Sequence, residues 1–285
     1  MITGMAANSP TGGIVLEGRG ISVTLGERPI LHGVDVAVPR GAVVALCGPN
    51  GSGKSTLLRT LARLLEPDGG TVRLDGQPMA HLSRRAIARH LAFLPQSPEV
   101  PSGVTVRDLV GYGRHPHHGL FASFGEEDHE AVAWAIGVME LDRLRDQPVE
   151  TLSGGERQRA WIAMALAQKT GVLLLDEPTT FLDIGHQHEV LDLLRDLNRR
   201  FGHTVVWVLH DLNQAAAYSD RVVLLKDGRV IADGTPELIM RPETVRTVFG
   251  LDAVQVRHPV TGAVVLLPSG AATQASHGRG SGGGA

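Results

Sequence analysis

One stretch of the chain has residue types and spacing suited to holding a polyphosphate. Gly48, Pro49, Asn50, Gly51, Ser52, Gly53, Lys54, Ser55 and Thr56 satisfy the pattern G-x-x-x-x-G-K-[ST]. Glycines at these positions let the backbone curl until successive N–H groups converge on phosphate oxygens. A helix starting at the lysine adds the partial positive charge of its N-terminus. Lys54 is then expected to reach the β- and γ-phosphates of a nucleoside triphosphate, and the Ser55 hydroxyl to ligate Mg²⁺.

A second chemical element is the apolar run Val172–Leu175 followed by Asp176 and Glu177. In P-loop proteins such a strand lies beside the phosphate-loop strand, which puts Asp176 near the metal. Glu177, one residue on, points elsewhere and can polarise an attacking water as general base. Acid pairs at strand ends are commonly just solvated, so this reading rests on the pair occurring together with the phosphate loop.

Residues 152–158, LSGGERQ, stand before a stretch rich in Ala and Leu. Ser153 and Glu156 alone would make an S-x-x-E capping box at a helix start. The stretch also resembles the signature of ABC ATPases, with the Asp-Glu strand following as it does in that family. The two readings are compatible, because a capped helix whose free N–H groups face outward is an anion site. The resemblance implies that Ser153, Gly154, Gly155, Glu156 and Gln158 act in trans, on a γ-phosphate held by a second subunit. It also implies roles for single positions. Gln96, in FLPQ, matches the Q-loop glutamine that contacts the metal and joins the core to a helical subdomain. Asp183, in FLD, belongs to a D-loop along the dimer seam. His210, after VVWVL, matches the switch histidine at the γ-phosphate. The implied catalytic set is Glu177, His210, Gln96 and Lys54, with Ser55, Gln96 and Asp176 around Mg²⁺.

One position departs from the family pattern. An aromatic residue near the end of the first strand usually stacks on adenine, and this chain offers Leu25. Stacking a base on an aromatic ring is worth on the order of 1–3 kcal/mol in single-strand nucleic-acid sites. Leu25 is therefore expected to weaken adenine affinity, and Leu25→Tyr to lower the KM for ATP. His115, His117 and His118 lie in a loop of the helical insertion where neither thiolates nor nearby carboxylates are expected, so a metal or haem site is not expected there. His186 and His188, on the helix after the D-loop, are expected to be solvated or near the dimer seam. Tyr112 and Arg114 are expected to face a permease.

These groups need an α/β scaffold, and the patterning supplies one. Ile14–Val23 and Val34–Pro39 alternate apolar and polar residues, as in an antiparallel β opening. Ala42–Cys47 is an apolar run entering the glycine-rich turn, and Ser55–Leu65 has helical spacing. Over residues 98–150 the β signals fade, while Val106–Gly111 and Glu126–Met139 read as helices. Val172–Leu175 and Val205–Leu209, separated by the helix Gly185–Arg200, suit buried parallel strands with a crossover. The expected fold is α/β: a P-loop NTPase core of ABC ATPase type, with an antiparallel β edge and an α-helical subdomain. The ATPase domain is expected over 14–250, its helical subdomain at about 98–152, and a β-hairpin over 251–268. Residues 1–13 and the Gly/Ser-rich stretch 269–285 are expected to be disordered.

Composition excludes several classes. Of 285 residues, 42% are apolar and 20% charged, which suits a globular protein and not a disordered or fibrous one. A net charge of −3 gives no basic excess for nucleic acid. The apolar runs fall far short of the roughly 18 residues that cross a bilayer. Residues 1–13 lack a basic start followed by an apolar run, so no secretory signal is expected. Cys47, the one cysteine, is expected to be a buried inert thiol. The expected location is peripheral, on the cytoplasmic face of the cell membrane.

Ser153 and Lys54 belong to opposite ends of the core, so one chain cannot close both around the same ATP. A head-to-tail homodimer with two composite sites is expected. The resemblance covers Ile14–Leu267, and three stretches look most like ATPases of iron–siderophore importers: VRDLVGYGRHP (106–116), EPTTFLDIGHQ (177–187) and HDLNQA (210–215). Haem and cobalamin importers are the alternatives. Importers of this kind imply membrane permease subunits and, indirectly, an extracellular or periplasmic substrate-binding protein. ABC ATPases of DNA repair or translation fit less well, because they carry long coiled-coil insertions or tandem cores. A P-loop GTPase or nucleotide kinase would leave LSGGERQ unexplained, and the sequence has no Asn-Lys-x-Asp guanine motif.

Overall fold

Two long antiparallel strands open the chain, β1 (Ile14–Leu25) and β2 (Arg28–Pro39), joined by a turn at Gly26-Glu27. The short buried β3 (Val43–Cys47) leads through the glycine-rich loop into α1 (Lys54–Leu61). β4 (Gly69–Leu74) and β5 (Gln77–Pro78) return to the first sheet, which has the order β2-β1-β4-β5. α2 (Arg84–Ala88) and β6 (Leu91–Leu94) follow, then a helical unit of α3 (Val106–Tyr112), α4 (Glu126–Val138) and α5 (Gly154–Ala167). The core resumes with β7 (Val172–Leu175), α6 (Ile184–Phe201), β8 (Thr204–Val208) and α7 (Leu212–Tyr218). After β9 (Arg221–Lys226) and β10 (Arg229–Gly234) come α8 (Pro236–Ile239), α9 (Pro242–Phe249) and a hairpin of β11 (Leu251–Arg257) and β12 (Val264–Ala271). This computed structural model describes residues 13–96, 102–118 and 124–271. The expectations of disorder at residues 1–12 and 272–285, and the first residues of the expected helical subdomain, lie outside them.

The second sheet has six strands in the order β10-β9-β3-β8-β7-β6, parallel except for β10. β3 shows why its residues are continuously apolar. Val43, Ala45 and Cys47 face the core shared with the helical unit, while Val44 and Leu46 face the core under the antiparallel sheet. A strand covered on both faces has no solvent side to mark with polar residues. α1 adds Leu57, Leu58 and Leu61 to the second core, each burial being worth about 1.5–3 kcal/mol. Burial also pushes the Cys47 thiol up to about 12, which leaves it protonated and inert.

Three expectations change. β7 does not lie beside β3, because the α6 crossover sets β8 between them. The C-terminal hairpin runs to Ala271, past the expected start of the unstructured tail at Ser269. Gly270 and Ala271 pair with Asp252 and Leu251 through backbone that needs no large side chain. Asn213 of α7 bonds both the N–H and the carbonyl of Leu266, which fastens the hairpin to the core.

Arg114, expected on the surface beside Tyr112, is only 2% exposed. Its Nε donates to Asp128 Oδ1 at 2.8 Å, and its Nη1 donates to the Ala167 carbonyl at 2.9 Å. One guanidinium therefore ties the end of α3 to α4 and to the C-terminus of α5. Burial opposes ionisation of Asp128, but the Gly125 amide, Arg114 and His118 outweigh it and hold the carboxyl below its usual range. His117 and His118 take part in the same knot, through the Gln168 carbonyl and Asp128. Removing one member strands a buried charge, so Arg114→Ala is expected to cost about 3–5 kcal/mol. The Arg114→Met/Asp128→Leu pair should cost clearly less. Denaturant midpoints check this, and equal losses in the single and double variants would contradict it.

Candidate functional site

The groups singled out in the sequence leave the C-terminal ends of four parallel strands. β3 runs into the phosphate loop and β6 into Pro95-Gln96, while β7 runs into Asp176-Glu177 and β8 into Leu209-His210. Strand ends on one edge of a parallel sheet face the same way, so side chains distant in sequence meet there. The resulting groove is lined by Asn50, Lys54, Ser55, Gln96, Glu177 and His210 among others.

The loop backbone is shaped by two glycines. Gly48 has φ +149°, and a Cβ there would stand 2.0 Å from the Leu225 carbonyl oxygen. Gly53 has φ +99°, and its Cβ would stand 2.7 Å from Leu31 Cδ2. No side chain fits either place. Lys54 Nζ folds back to donate to the carbonyls of Gly48 and Pro49, both at 2.9 Å. Burial pulls its ammonium below the ordinary lysine range, opposed by the nearby Glu177 and Asp176 carboxylates.

Although β8 intervenes, Asp176 reaches the loop: Ser55 Oγ donates to its Oδ1 at 2.7 Å. Burial raises the Asp176 carboxyl above its usual range, against the Ser55 hydrogen bond and the Arg59 charge. Its Oδ2 is buried with no hydrogen-bond partner. A buried carboxylate oxygen without a donor, beside a serine hydroxyl, is a hard oxygen donor set suited to Mg²⁺.

Glu177 forms the second cluster. Its φ of +53° is left-handed. Oε1 lies 2.7 Å from His210 Nε2, while Oε2 accepts from Thr180 Oγ1 at 2.9 Å and from Gln96 Nε2. Gln96, expected among the metal ligands, is thus bonded to Glu177, on the same wall of the groove.

The signature residues lie elsewhere. Ser153 caps α5 and forms the expected box, its backbone N–H donating to Glu156 Oε2 at 2.9 Å. None of residues 153–158 lines the groove among the described residues. Asp183 caps α6 next to them, accepting from His186 N at 2.9 Å.

A family model described as "ABC transporter" matches residues 31–180, which includes the phosphate loop, Gln96, the signature and the Asp176-Glu177 pair. The chain belongs to the ABC transporter family. Among curated proteins it is 45% identical over 255 residues to the ferric enterobactin transport ATP-binding protein of Escherichia coli (strain K12), covering 90% of this chain and 94% of that protein. It is 45% identical over 247 residues to the iron(3+)-hydroxamate import ATP-binding protein of Bacillus subtilis (strain 168), covering 87% and 92%. It is also 45% identical over 256 residues to a hemin import ATP-binding protein of Nocardia farcinica (strain IFM 10152), covering 90% and 87%. A solved metal-chelate type ABC transporter in an inward-facing conformation superposes with TM-score 0.79 at 28% identity, over 90% of this chain and 98% of that one. An ATP-binding cassette solved as a dimer in a post-hydrolysis state with ADP and Pi gives TM-score 0.67 at 30% identity, over 78% and 98%.

Two groove residues of this ABC protein were not legible in the sequence. Arg28 and Ile30 of β2 line the groove beside the phosphate loop. Leu25, the position read as the base-stacking one, is 46% exposed, pairs across the turn with Arg28 and is not part of the lining. An arginine after a glycine turn carries no sequence mark of its own, and only the hairpin register brings it to the groove. Its planar guanidinium can stack on a base where the family carries an aromatic ring. Arg28→Ala is expected to raise the KM for ATP by about two- to fivefold with kcat nearly unchanged. Initial-rate kinetics check this, and a larger KM effect from Leu25→Ala would return the stacking role to Leu25.

Proposed function

We propose that this chain binds MgATP between its phosphate loop and the signature of a second copy, hydrolyses it, and so drives a membrane permease that imports iron–siderophore complexes. The observation that carries the ATPase reading is the convergence of Lys54, Ser55, Asp176, Gln96, Glu177 and His210 on one sheet edge, while the anion-binding N-terminus of α5 lies outside that groove. The siderophore reading rests on relatives whose names include ferric enterobactin, iron(3+)-hydroxamate and petrobactin. A hemin importer reading is supported by relatives of similar identity.

The phosphate loop holds the β- and γ-phosphates through its N–H groups and Lys54. Ser55, Asp176 and Gln96 would hold Mg²⁺, which supplies charge neutralisation on the phosphate oxygens. Glu177 accepts a proton from the water that attacks the γ-phosphorus as the bond to the bridging oxygen breaks, giving ADP and phosphate. His210 and Gln96 hold the two carboxylate oxygens of Glu177 in place, and His210 can exchange its contact for the γ-phosphate. Loss of the γ-phosphate removes the bridge to the partner's Ser153 and lets the dimer open.

A groove of about 670 Å³ in the helical unit, lined by Arg107, Tyr112, His115, Phe124, Val132 and Ile136, suits a cytoplasmic segment of the permease. Tyr112 keeps the permease-facing role read from the sequence, and Arg114 gives it up to the buried knot. The route from Gln96 to Tyr112 passes through residues 97–101, outside the described ones. Among the described residues no helix is long and apolar enough to cross a membrane. A peripheral place on the cytoplasmic face follows from the permease partnership.

Glu177→Gln is expected to keep ATP affinity and lower turnover on the order of 10²–10⁴-fold, the usual weight of a general base. Near wild-type turnover would remove Glu177 from that role. Uptake of labelled ferric siderophore, haem and cobalamin in a strain lacking this chain tests the cargo. Loss confined to siderophore is the expected result, and loss confined to haem would favour the alternative. In the assembled complex, Tyr112→Ala with His115→Ala should reduce transport while ATP turnover continues. Full transport would move the permease contact elsewhere.

A further inference from the structure

The segment between Glu177 and α6 is braced on two sides that serve different nucleotides. Toward its own groove, Thr180 Oγ1 donates to Glu177. The Leu182 carbonyl accepts from Gln187 Nε2 at 3.0 Å, and Gln187 Oε1 accepts from the Gln214 amide on α7, at 2.7 Å. Toward the signature, the contact is made by His186. Its Nδ1 lies 2.8 Å from Asp183 Oδ2, and its backbone N–H donates to Asp183 Oδ1. One carboxylate therefore fixes both the start of α6 and the plane of the imidazole.

The carbon edge of that ring rests on Gly155. A Cβ added there would stand 2.7 Å from His186 Cδ2 and 3.1 Å from Cγ, so the glycine is matched to the ring. Gly154 beside it has Leu182 Cδ2 3.6 Å from the place of its missing Cβ. The first turn of α5, whose N–H groups face the partner's nucleotide in the reading above, thus sits on a surface made by Leu182 and His186. Neither His186 nor its carboxylate lines the groove of its own chain.

We propose that His186 is a positioning residue: held by Asp183, it acts as the spacer that sets the signature turn of α5 for the ATP bound by the opposite subunit. It touches no substrate. Its effect falls on closure and chemistry and not on first binding, which belongs to the phosphate loop of the other chain. His186→Ala in the complete transporter should lower kcat on the order of tenfold while KM for ATP stays within about twofold. His186→Gln, which can refill the space and donate to Asp183, should recover most of the loss. Similar thermal midpoints for the two variants would exclude a folding defect.

The proposal rests on the two-copy reading, and mixed dimers of the full chain with permease separate the two. With His186→Ala in one copy and Lys54→Ala in the other, both lesions fall on one composite site and the second site is untouched. With both changes in the same copy, each site carries one lesion. Ser153→Arg in place of His186→Ala supplies the control. If both pairs are more active in the split arrangement than in the same-copy one, the proposal stands. If the His186 pair is instead more active in the same-copy arrangement, His186 acts within its own groove, and if only the Ser153 pair separates, His186 favours neither site; either result overturns the proposal. If the Ser153 pair does not separate, the two-copy reading fails and takes the proposal with it.

Discussion

Asp176 and Glu177, neighbours at the end of one strand, serve different partners: Ser55 for the first, His210, Gln96 and Thr180 for the second. The backbone at Glu177 takes a left-handed conformation, with φ +53°. A non-glycine residue there carries about 1–3 kcal/mol of strain and persists only where its surroundings hold it. Here His210, Gln96 and Thr180 supply that hold. In the proposed mechanism this gives one carboxylate for a metal and another for a water, within a single step of chain. The parallel sheet brings β6, β7 and β8 to a common edge with β3, which is what makes the three supporting residues available.

In the proposed two-copy reading the same arrangement leaves each chain with half of what the chemistry needs. The groove offers a lysine, loop amides and carboxylates, but the capped start of α5 is not among its walls. Around the D-loop, Phe181 is 86% exposed and Ile184 75%. Large apolar side chains this open, beside a helix N-terminus able to bind an anion, suit a surface that closes against another protein. A dimer that buries them around ATP uses one set of contacts for both assembly and catalysis.

Much of this could be read from the residues. The phosphate loop, the Asp-Glu strand end and the LSGGERQ turn each carry local constraints, namely glycine conformation, apolar burial and capping, and such constraints leave marks in sequence. The order of strands does not, because the crossover lengths allow β7 either beside β3 or with β8 between them. The burial of Arg114 is hidden for a related reason. An arginine in a polar loop reads as exposed until Asp128, on the next helix, is known to meet it. Arg28 escaped because its nearness to the nucleotide groove depends on hairpin register and not on its neighbours. The last residues of β12 pair through backbone with Leu251 and Asp252, and backbone pairing leaves no mark in their side chains.

The claim on which the mechanism turns is that two copies share each ATP. The most direct measurement is specific ATPase activity as the protein is diluted, followed together with its sedimentation state. The account predicts that activity per chain falls as dimers vanish, in proportion to their fraction. Constant activity per chain at dilutions where only monomers sediment would contradict it.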